Sequence, residues 1–263
     1  MQNIWVEKNV FIVVKTYPNS SKKYQETVCT AGITEDGEWI RLYPVQFRSM
    51  EKAKQFEKYT WIKVRLKKAK EHREDSYNPD MDSFKILEHI GPDNNWFKRK
   101  HIVYPTRSKS IEELESQLIT HKKSLGIFKP KEIIDFKITI NKKSVRANPI
   151  SNIQLSLFEE APKPLENIPY EFRYEFLCDD INCHGHSMIV LDWEIFQAFR
   201  SWRHHYGEQG ALEQIKKKWF DMMCASKRDT HFIVGTHNRF PTFMILGVFY
   251  PEYESQLSLF DFI

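Results

Sequence analysis

Two thiols and two imidazoles fall within nine residues, Cys178-Asp179-Asp180-Ile181-Asn182-Cys183-His184-Gly185-His186. Zinc is held by four N, S or O donors in a tetrahedron, and structural sites often place their first two ligands two to four residues apart. The Cys178-x4-Cys183 spacing lies at the edge of that range. Cys178, Cys183, His184 and His186 are therefore the candidate metal ligands. Zinc is the expected ion, in a structural role rather than a catalytic one. Gly185 eases the turn that folds the histidines back. A fully local site is cramped, so a ligand from elsewhere is equally expected, with Cys224 and His231 as candidates. The alternative is that Cys178 packs as a small apolar residue and the histidines cap a turn.

Carboxylates surround this segment. Asp179 and Asp180 lie inside it, and Asp192 and Glu194 follow. Carboxylates and histidines around one loop can hold a divalent ion for phosphodiester hydrolysis. No lysine follows at the spacing of the common restriction-type nuclease core. Thr236-His237-Asn238-Arg239 falls short of a histidine-asparagine-histidine motif. The nine glycines form neither GxGxxG nor GxxxxGK[ST], which argues against a kinase, a nucleotide-driven motor or any nucleotide cofactor. No catalytic residue can be assigned, and whether the chain is an enzyme stays open.

A third feature is an identical internal repeat. Gln154-Leu155-Ser156-Leu157-Phe158 recurs as Gln256-Leu257-Ser258-Leu259-Phe260. At average residue usage a repeated pentamer is expected in roughly one chain of this length in a hundred. One copy falls in a proline-containing stretch and the other in the last eight residues, where docking peptides are accessible.

The pentapeptide resembles the bacterial DNA sliding-clamp binding motif, glutamine-leucine-x-leucine-phenylalanine. That motif is carried by replicative and repair polymerases, mismatch-repair proteins and clamp-loader subunits. All four defining positions match in both copies, although the resemblance covers ten residues only. It implies that Leu157, Phe158, Leu259 and Phe260 are apolar anchors for a cleft on the clamp. Gln154 and Gln256 would then be polar latches at its rim, with Leu155 and Leu257 completing the motif. Buried apolar anchors carry most of the energy of such an interaction. The eukaryotic-type motif fits less well. Gln256, Leu259 and Phe262 match its spacing, but Ile263 stands where an aromatic is required. The alternative is that both pentamers pack as short amphipathic strands on their own domain.

The chain carries 39 basic and 35 acidic residues, a net charge of +4, so nucleic-acid binding is permitted rather than demanded. Arg41, Arg65, Arg99, Arg200, Arg203 and Lys217 are the candidate nucleic-acid contacts. They accompany Trp39, Tyr43, Trp61, Trp96 and Trp202, rings on which bases can stack. Three functions are consistent with this set. The first is a DNA-associated accessory factor recruited to the bacterial clamp in replication, repair or defence against foreign DNA. The second is a metal-dependent nuclease acting on DNA. The third is an inhibitor that blocks the clamp's pocket without touching DNA.

These residues need elements to position them. The 263 residues are 41% apolar and 28% charged, enough for a buried core in one large or two small domains. No apolar run reaches the ~18 residues of a membrane helix. The start, MQNIWVEKNV, lacks the pattern of a secretory signal. A reducing cytoplasm is therefore expected, and the four cysteines are thiols or metal ligands rather than disulfides.

The fold class expected is α+β. An N-terminal small twisted barrel or sheet with helical inserts spans 1–140, and a second α+β module spans 170–251. A linker at 141–169 carries the first pentamer, and a tail at 252–263 carries the second. Residues 9–15 read as a buried strand and 38–43 as another, ended by Pro44. Residues 49–59 read as a short helix. Ile62, Val64 and Leu66 alternate with Lys63, Arg65 and Lys67, a half-buried strand with one basic face. Ser110-Ile111-Glu112-Glu113 is a capping box. Phe136, Ile138 and Ile140 mark the barrel's last strand. In the second module, strands are expected at 170–177 and 187–191, then a helix capped by Asp192 with Ile195, Phe199 and Trp202 on its buried face. Gly207 stops it. A second helix over 211–225 buries Leu212, Ile215, Trp219 and Met222, and strands at 232–235 and 243–249 close the fold.

Overall fold

The computed structural model describes residues 4–21, 25–141, 166–237 and 241–253; both pentapeptides lie outside the described residues. The chain is α+β, as its patterning predicts, and its N-terminal part is a closed five-stranded barrel. The N-terminal strands are β1 (Val6–Lys15), β2 (Asn19–Ser21), β3 (Gln25–Thr34), β4 (Trp39–Val45), β5 (Thr60–Lys68), β6 (Ser76–Pro79) and β7 (Lys85–His89); β1, β3, β4, β6 and β5 form the ring, and β2 and β7 pair onto β3 and β5. Antiparallel pairing of β3 and β5 on either side of β1, a parallel β4–β6 pair and an antiparallel β5–β6 pair close the ring. Closure removes the exposed edges of an open sheet.

The barrel is filled by Val10, Ile12, Val28, Leu42, Ile62, Val64 and Leu66, all buried. The alternation expected of β5 is observed, with its apolar side inward. β1 does not alternate. Val10 and Ile12 point into the barrel, whereas Phe11, Val13 and Val14 belong to a second core shared with Leu125, Ile127, Ile233 and Phe249. A strand buried on both faces reads as a continuous apolar run, which explains residues 10–14.

Two expectations for this half are corrected. Pro44 does not end its strand. It falls within β4 where Val28 faces Val45 and Thr30 faces Leu42, so two residues oppose one. Such a bulge tolerates a residue without an N–H. Residues 49–59 hold no α-helix; short 3-10 turns at Phe47–Ser49 and Lys52–Lys54 stand in that region instead.

After the barrel come α1 (Asp93–Val103), the two-residue β8 (Arg107–Ser108), α2 (Ile111–His121), β9 (Leu125–Phe128) and β10 (Glu132–Ile140). Then follow β11 (Tyr170–Leu177), β12 (His186–Ile189), α3 (Trp193–Lys216), β13 (His231–Thr236) and β14 (Phe243–Phe249). One sheet runs β10-β11-β12 and another β14-β13-β9-β8. A bridge between Val190 and Ile245 ties them together.

The expected boundary at 141–169 falls inside this unit. β10 pairs with β11 continuously from Glu132–Leu177 to Ile140–Tyr170, so that segment joins two neighbouring strands of one sheet. β9, assigned by sequence to the first domain, pairs with β13. The chain leaves the barrel region near residues 104–107 instead. Prolines at 149, 162, 164 and 169 mark a long connection, and composition alone does not separate a connection within a sheet from one between domains.

α3 is capped as predicted, Asp192 Oδ1 accepting from the Glu194 N–H at 3.1 Å. Ile195 and Phe199 are buried. Trp202 is half-buried and meets Trp219 edge-on at 6.1 Å. Gly207 breaks the helical backbone (φ 70°, ψ 176°) where a stop is expected, and a second helical stretch beyond it runs to Lys216. A wider π turn at Lys217–Met222 follows. Such a turn inserts a residue into the helical repeat. Accordingly Met223, rather than the predicted Met222, is buried.

Candidate metal centre and the polar seam

The β11–β12 hairpin carries the cysteine and histidine residues. β11 ends at Leu177, and the Asp180 side chain accepts from the Asn182 N–H at 2.9 Å while its carbonyl accepts from the Cys183 N–H at 3.1 Å. This tight turn brings Cys183 back until its Sγ accepts from the Cys178 N–H at 3.1 Å. Gly185 has φ +90°, a left-handed conformation that a side chain would strain. His186 opens β12 opposite Phe176, and the two rings stack at 5.1 Å.

Donor atoms of Glu112, Cys178, Cys183 and His186 all lie within 4.8 Å of one another, so this group can hold a metal ion. Three of the four predicted ligands are brought together. His184 is not; it is exposed on the turn. Cys224 and His231 also stay apart from it, Cys224 donating to the Trp219 carbonyl and His231 facing Asp229 and Arg107. The fourth donor is Glu112, on the first turn of α2, 74 residues from His186 in sequence. Ser110 caps that helix, accepting from the Glu113 N–H at 3.3 Å, as the capping box predicts. α2 lies tight on β9, with Leu114 filling the space a side chain at Gly126 would need. The capping box pointed to the helix but not to its partner, because nothing local links residues 112 and 178.

The donor chemistry fits a zinc-like ion. Glu112 Oε1 lies 2.8 Å from His186 Nε2, whereas Glu112 Oε2 is buried with no hydrogen-bond partner. A buried, unpartnered carboxylate oxygen is costly unless something charged meets it. Burial acts to push the Glu112 carboxyl up, but hydrogen bonds from its own N–H, Ser110 and His186 hold it below the usual range. Burial pushes the Cys178 thiol up to about 12. It is a neutral thiol without an ion, and metal coordination would displace its proton.

The other carboxylates do not join this centre. Asp179 pairs with Lys131 at 3.4 Å. Asp192 pairs with Lys58 at 2.6 Å, and Glu194 lies 3.4 Å from the same ammonium. The nuclease arrangement, in which these carboxylates and the histidines share one ion, is therefore not formed. Instead Asp192 and Glu194 face the barrel across a polar seam. Lys15 lies on this seam as well, and burial, with Lys58 adding to it, pushes its ammonium down to about 8.

The candidate nucleic-acid residues separate into two groups. Arg41 and Arg99 are buried. Arg41 donates to Ser124 O and Oγ at 3.2 and 3.0 Å and to Cys29 Sγ at 3.1 Å, so it is a strut between the barrel and β9 rather than a phosphate contact. Arg99 donates to the Ile90 carbonyl at 2.9 Å and lies over the Tyr59 ring. Arg65 pairs with Asp80, and Arg200 and Arg203 share Glu166. Lys217 is exposed. No helix among the described residues is long and apolar enough to cross a membrane.

Fold and site together define an α+β protein with a closed barrel docked on a helix-and-sheet unit that carries a four-donor cluster. The chain belongs to the family described as domain of unknown function DUF8757, whose model matches residues 107–263; a second model, domain of unknown function DUF8758, matches residues 6–105. The two matches meet where the chain leaves the barrel region. No curated protein matches the sequence. Among solved structures, a murine DNA-binding protein bound to double-stranded DNA aligns at 11% identity and a TM-score of 0.30, covering 96% of this chain and 98% of that one.

Proposed function

We propose that this protein is a DNA-associated accessory factor delivered to the bacterial sliding clamp by its two QLSLF peptides. The observation that carries the reading is the identical repetition of Gln154–Phe158 at Gln256–Phe260, complete at all four positions of the clamp motif. The cluster of Glu112, Cys178, Cys183 and His186 supports a binding module over a hydrolase. Four protein donors complete a tetrahedron, whereas a catalytic zinc keeps one position for water or substrate. Zinc is the ion these sulfur, nitrogen and oxygen donors suit, and it would fasten α2 to the β11–β12 hairpin. A factor of this kind works in the cytoplasm on clamp-loaded DNA, in replication, repair or defence against foreign DNA.

The test is calorimetry of the full chain against a purified bacterial clamp. Saturable binding that is lost when Leu157, Phe158, Leu259 and Phe260 are all changed to alanine supports the proposal. No binding by the unaltered chain overturns it. Clamp binding by a chain with no affinity for DNA would favour the clamp-blocking inhibitor instead.

A further inference from the structure

The barrel and the second unit form an open-mouthed cavity of about 380 Å³ at their seam. Its walls come from both family regions: Lys15, Tyr59, Trp96 and Arg99 from the first, Trp193, Glu194 and Tyr250 from the second. Ligand sites favour such junctions, and this volume is at the small end of their usual range.

The walls are aromatic. Trp96 meets Tyr59 edge-on at 5.5 Å and Tyr250 at 5.0 Å. Two of these rings are held at a conformational cost. Tyr59 and Trp96 both have φ of 63°, in the left-handed region. Bulky side chains rarely adopt it, and such residues collect at binding sites where the surroundings enforce them. Their neighbours Asn94 and Asn95 share the conformation, so a short left-handed stretch presents Trp96 to the cavity.

The ring faces exclude one class of ligand. An aromatic cage for a quaternary ammonium needs several free π faces turned on one point, whereas stacking a flat ring needs one. Here the Arg99 guanidinium already lies over Tyr59 at 3.8 Å and Trp96 at 4.8 Å, and Lys15 over Phe47 at 3.8 Å and Trp193 at 5.1 Å. What the cavity offers is the half-buried Trp96 and Trp193 rings, with polar groups of both kinds at their edges. His89, Lys15 and Arg99 can donate, and Glu57 and Glu194 accept, with Lys58 on the same wall 3.4 Å from Glu194. Half of the Glu194 side chain is solvent-accessible (51%), so its carboxylate can reach a ligand. A planar heterocycle with donors and acceptors along one edge is complementary to this arrangement, and the volume admits one such ring with its sugar but no stack of them.

We infer that the seam cavity binds a single nucleobase, stacked against Trp96 and read along its polar edge by Glu194. That the base arrives in a DNA strand, unpaired or extruded from a duplex, rests on the proposed function. The cavity's preference for a base does not. Extruding a base from DNA is the usual route by which a protein reaches it in a pocket.

The experiment titrates the full chain with each of the four deoxynucleoside monophosphates, read by calorimetry and by the indole resonances of Trp96 and Trp193. One-to-one binding of at least one of them is expected, with indole shifts at both residues. Trp96→Ala should weaken it roughly tenfold or more, the usual effect of removing a stacking ring. Trp96 also packs on Phe249, so the gentler Glu194→Gln is tested beside it. That variant also takes one anion from Lys58, so its thermal midpoint is recorded beside the titration; it should stay folded and change the ranking among the four bases. No binding of any monophosphate at millimolar concentration, or binding unaltered in both variants, overturns the inference. So does binding of tetramethylammonium in preference to every nucleotide. Clamp affinity is measured on the same variants. Nucleotide binding lost with clamp binding intact leaves the delivery reading standing, and a nucleotide-binding chain that ignores the clamp leaves only the cavity reading.

Discussion

Lys58 Nζ lies 2.6 Å from Asp192 Oδ2, a contact across 134 residues that joins the barrel to the cap of α3. Both side chains are buried, at 7% and 3% exposure. Asp192 uses its other oxygen to cap the helix, so one carboxylate fixes both the start of α3 and its place against the barrel.

Lys58→Met should therefore be strongly destabilising. A buried carboxylate left without its counter-ion costs about 3–5 kcal/mol. The pH dependence follows from the shifts. Burial pushes the Asp192 carboxyl from its ordinary 3.8 up to about 6, with Lys58 opposing the rise. The folded chain then holds a proton there more readily than the unfolded one, so that group's contribution falls as pH rises between those values. For Lys58, burial acts downward but Asp192 and Glu194 outweigh it and raise the ammonium. Its contribution is complete below the ordinary lysine value and is lost only in strong alkali. In Lys58→Met the deficit should be largest near pH 8 and shrink toward pH 5, where Asp192 takes up its proton. Urea unfolding at both pH values measures this. An equal deficit at the two would contradict it. Adding Asp192→Asn, which keeps a capping oxygen, should recover most of the loss.

The Asp75–Ser124 contact is a second strut. Asp75 Oδ1 accepts from Ser124 Oγ at 2.6 Å, and the same hydroxyl oxygen accepts from Arg41 at 3.0 Å. Asp75→Asn places an amide where a carboxylate accepts from two donors of Ser124. Hydrogen bonds to a charged group contribute ~1.5–3 kcal/mol, and a loss of that size is expected in thermal unfolding. Loss below 0.5 kcal/mol would show that the network is dispensable.

The metal centre predicts a stoichiometry. Protein purified without chelator should carry about one zinc per chain, and Cys183→Ser should lose it. Glu112→Gln distinguishes this four-donor set from a hairpin-only site, since metal held by the hairpin alone would be indifferent to residue 112. Elemental analysis of the three proteins reads the result. Full zinc in Glu112→Gln would remove Glu112 from the ligands.

Local signals were legible in the sequence, and long-range ones were not. The Asp192 cap, the Ser110 capping box and the alternation at Ile62, Val64 and Leu66 depend on neighbours a few residues away, and all three are present. The metal set was three-quarters readable because Cys178, Cys183 and His186 share one hairpin. Glu112 was not, since its approach depends on α2 packing against β9 and on the sheet that β9 enters. The basic residues show the same limit. Arg41 and Lys217 are equally charged in sequence, but only the fold makes one a buried strut and leaves the other exposed. Likewise Asp192 and Glu194 lie close to the histidines in sequence, whereas their charged partner, Lys58, comes from the barrel.

The tether gives the last prediction. A pentapeptide with two apolar anchors must offset its own ordering on binding, so each copy alone should bind a bacterial clamp at about micromolar Kd. A bacterial clamp is a ring of two identical subunits and offers two equivalent pockets. Two copies on one chain can then bind in succession, the second as an intramolecular step whose effective concentration depends on the connecting structure. That connection includes the β11–β14 part of the fold, since the first copy precedes Tyr170 and the second follows Phe249. If both ends reach, linkage should raise affinity by ~10² over a single copy. Leu259→Ala with Phe260→Ala should therefore bring the chain back to single-site affinity. Adding Leu157→Ala with Phe158→Ala should remove binding altogether. Calorimetry on the three proteins separates the cases. An unchanged fourfold variant would refute clamp recruitment through these peptides. A tail variant that already loses all binding would show that the copy at 154–158 does not engage, so the avidity argument would fail while recruitment through the tail would stand.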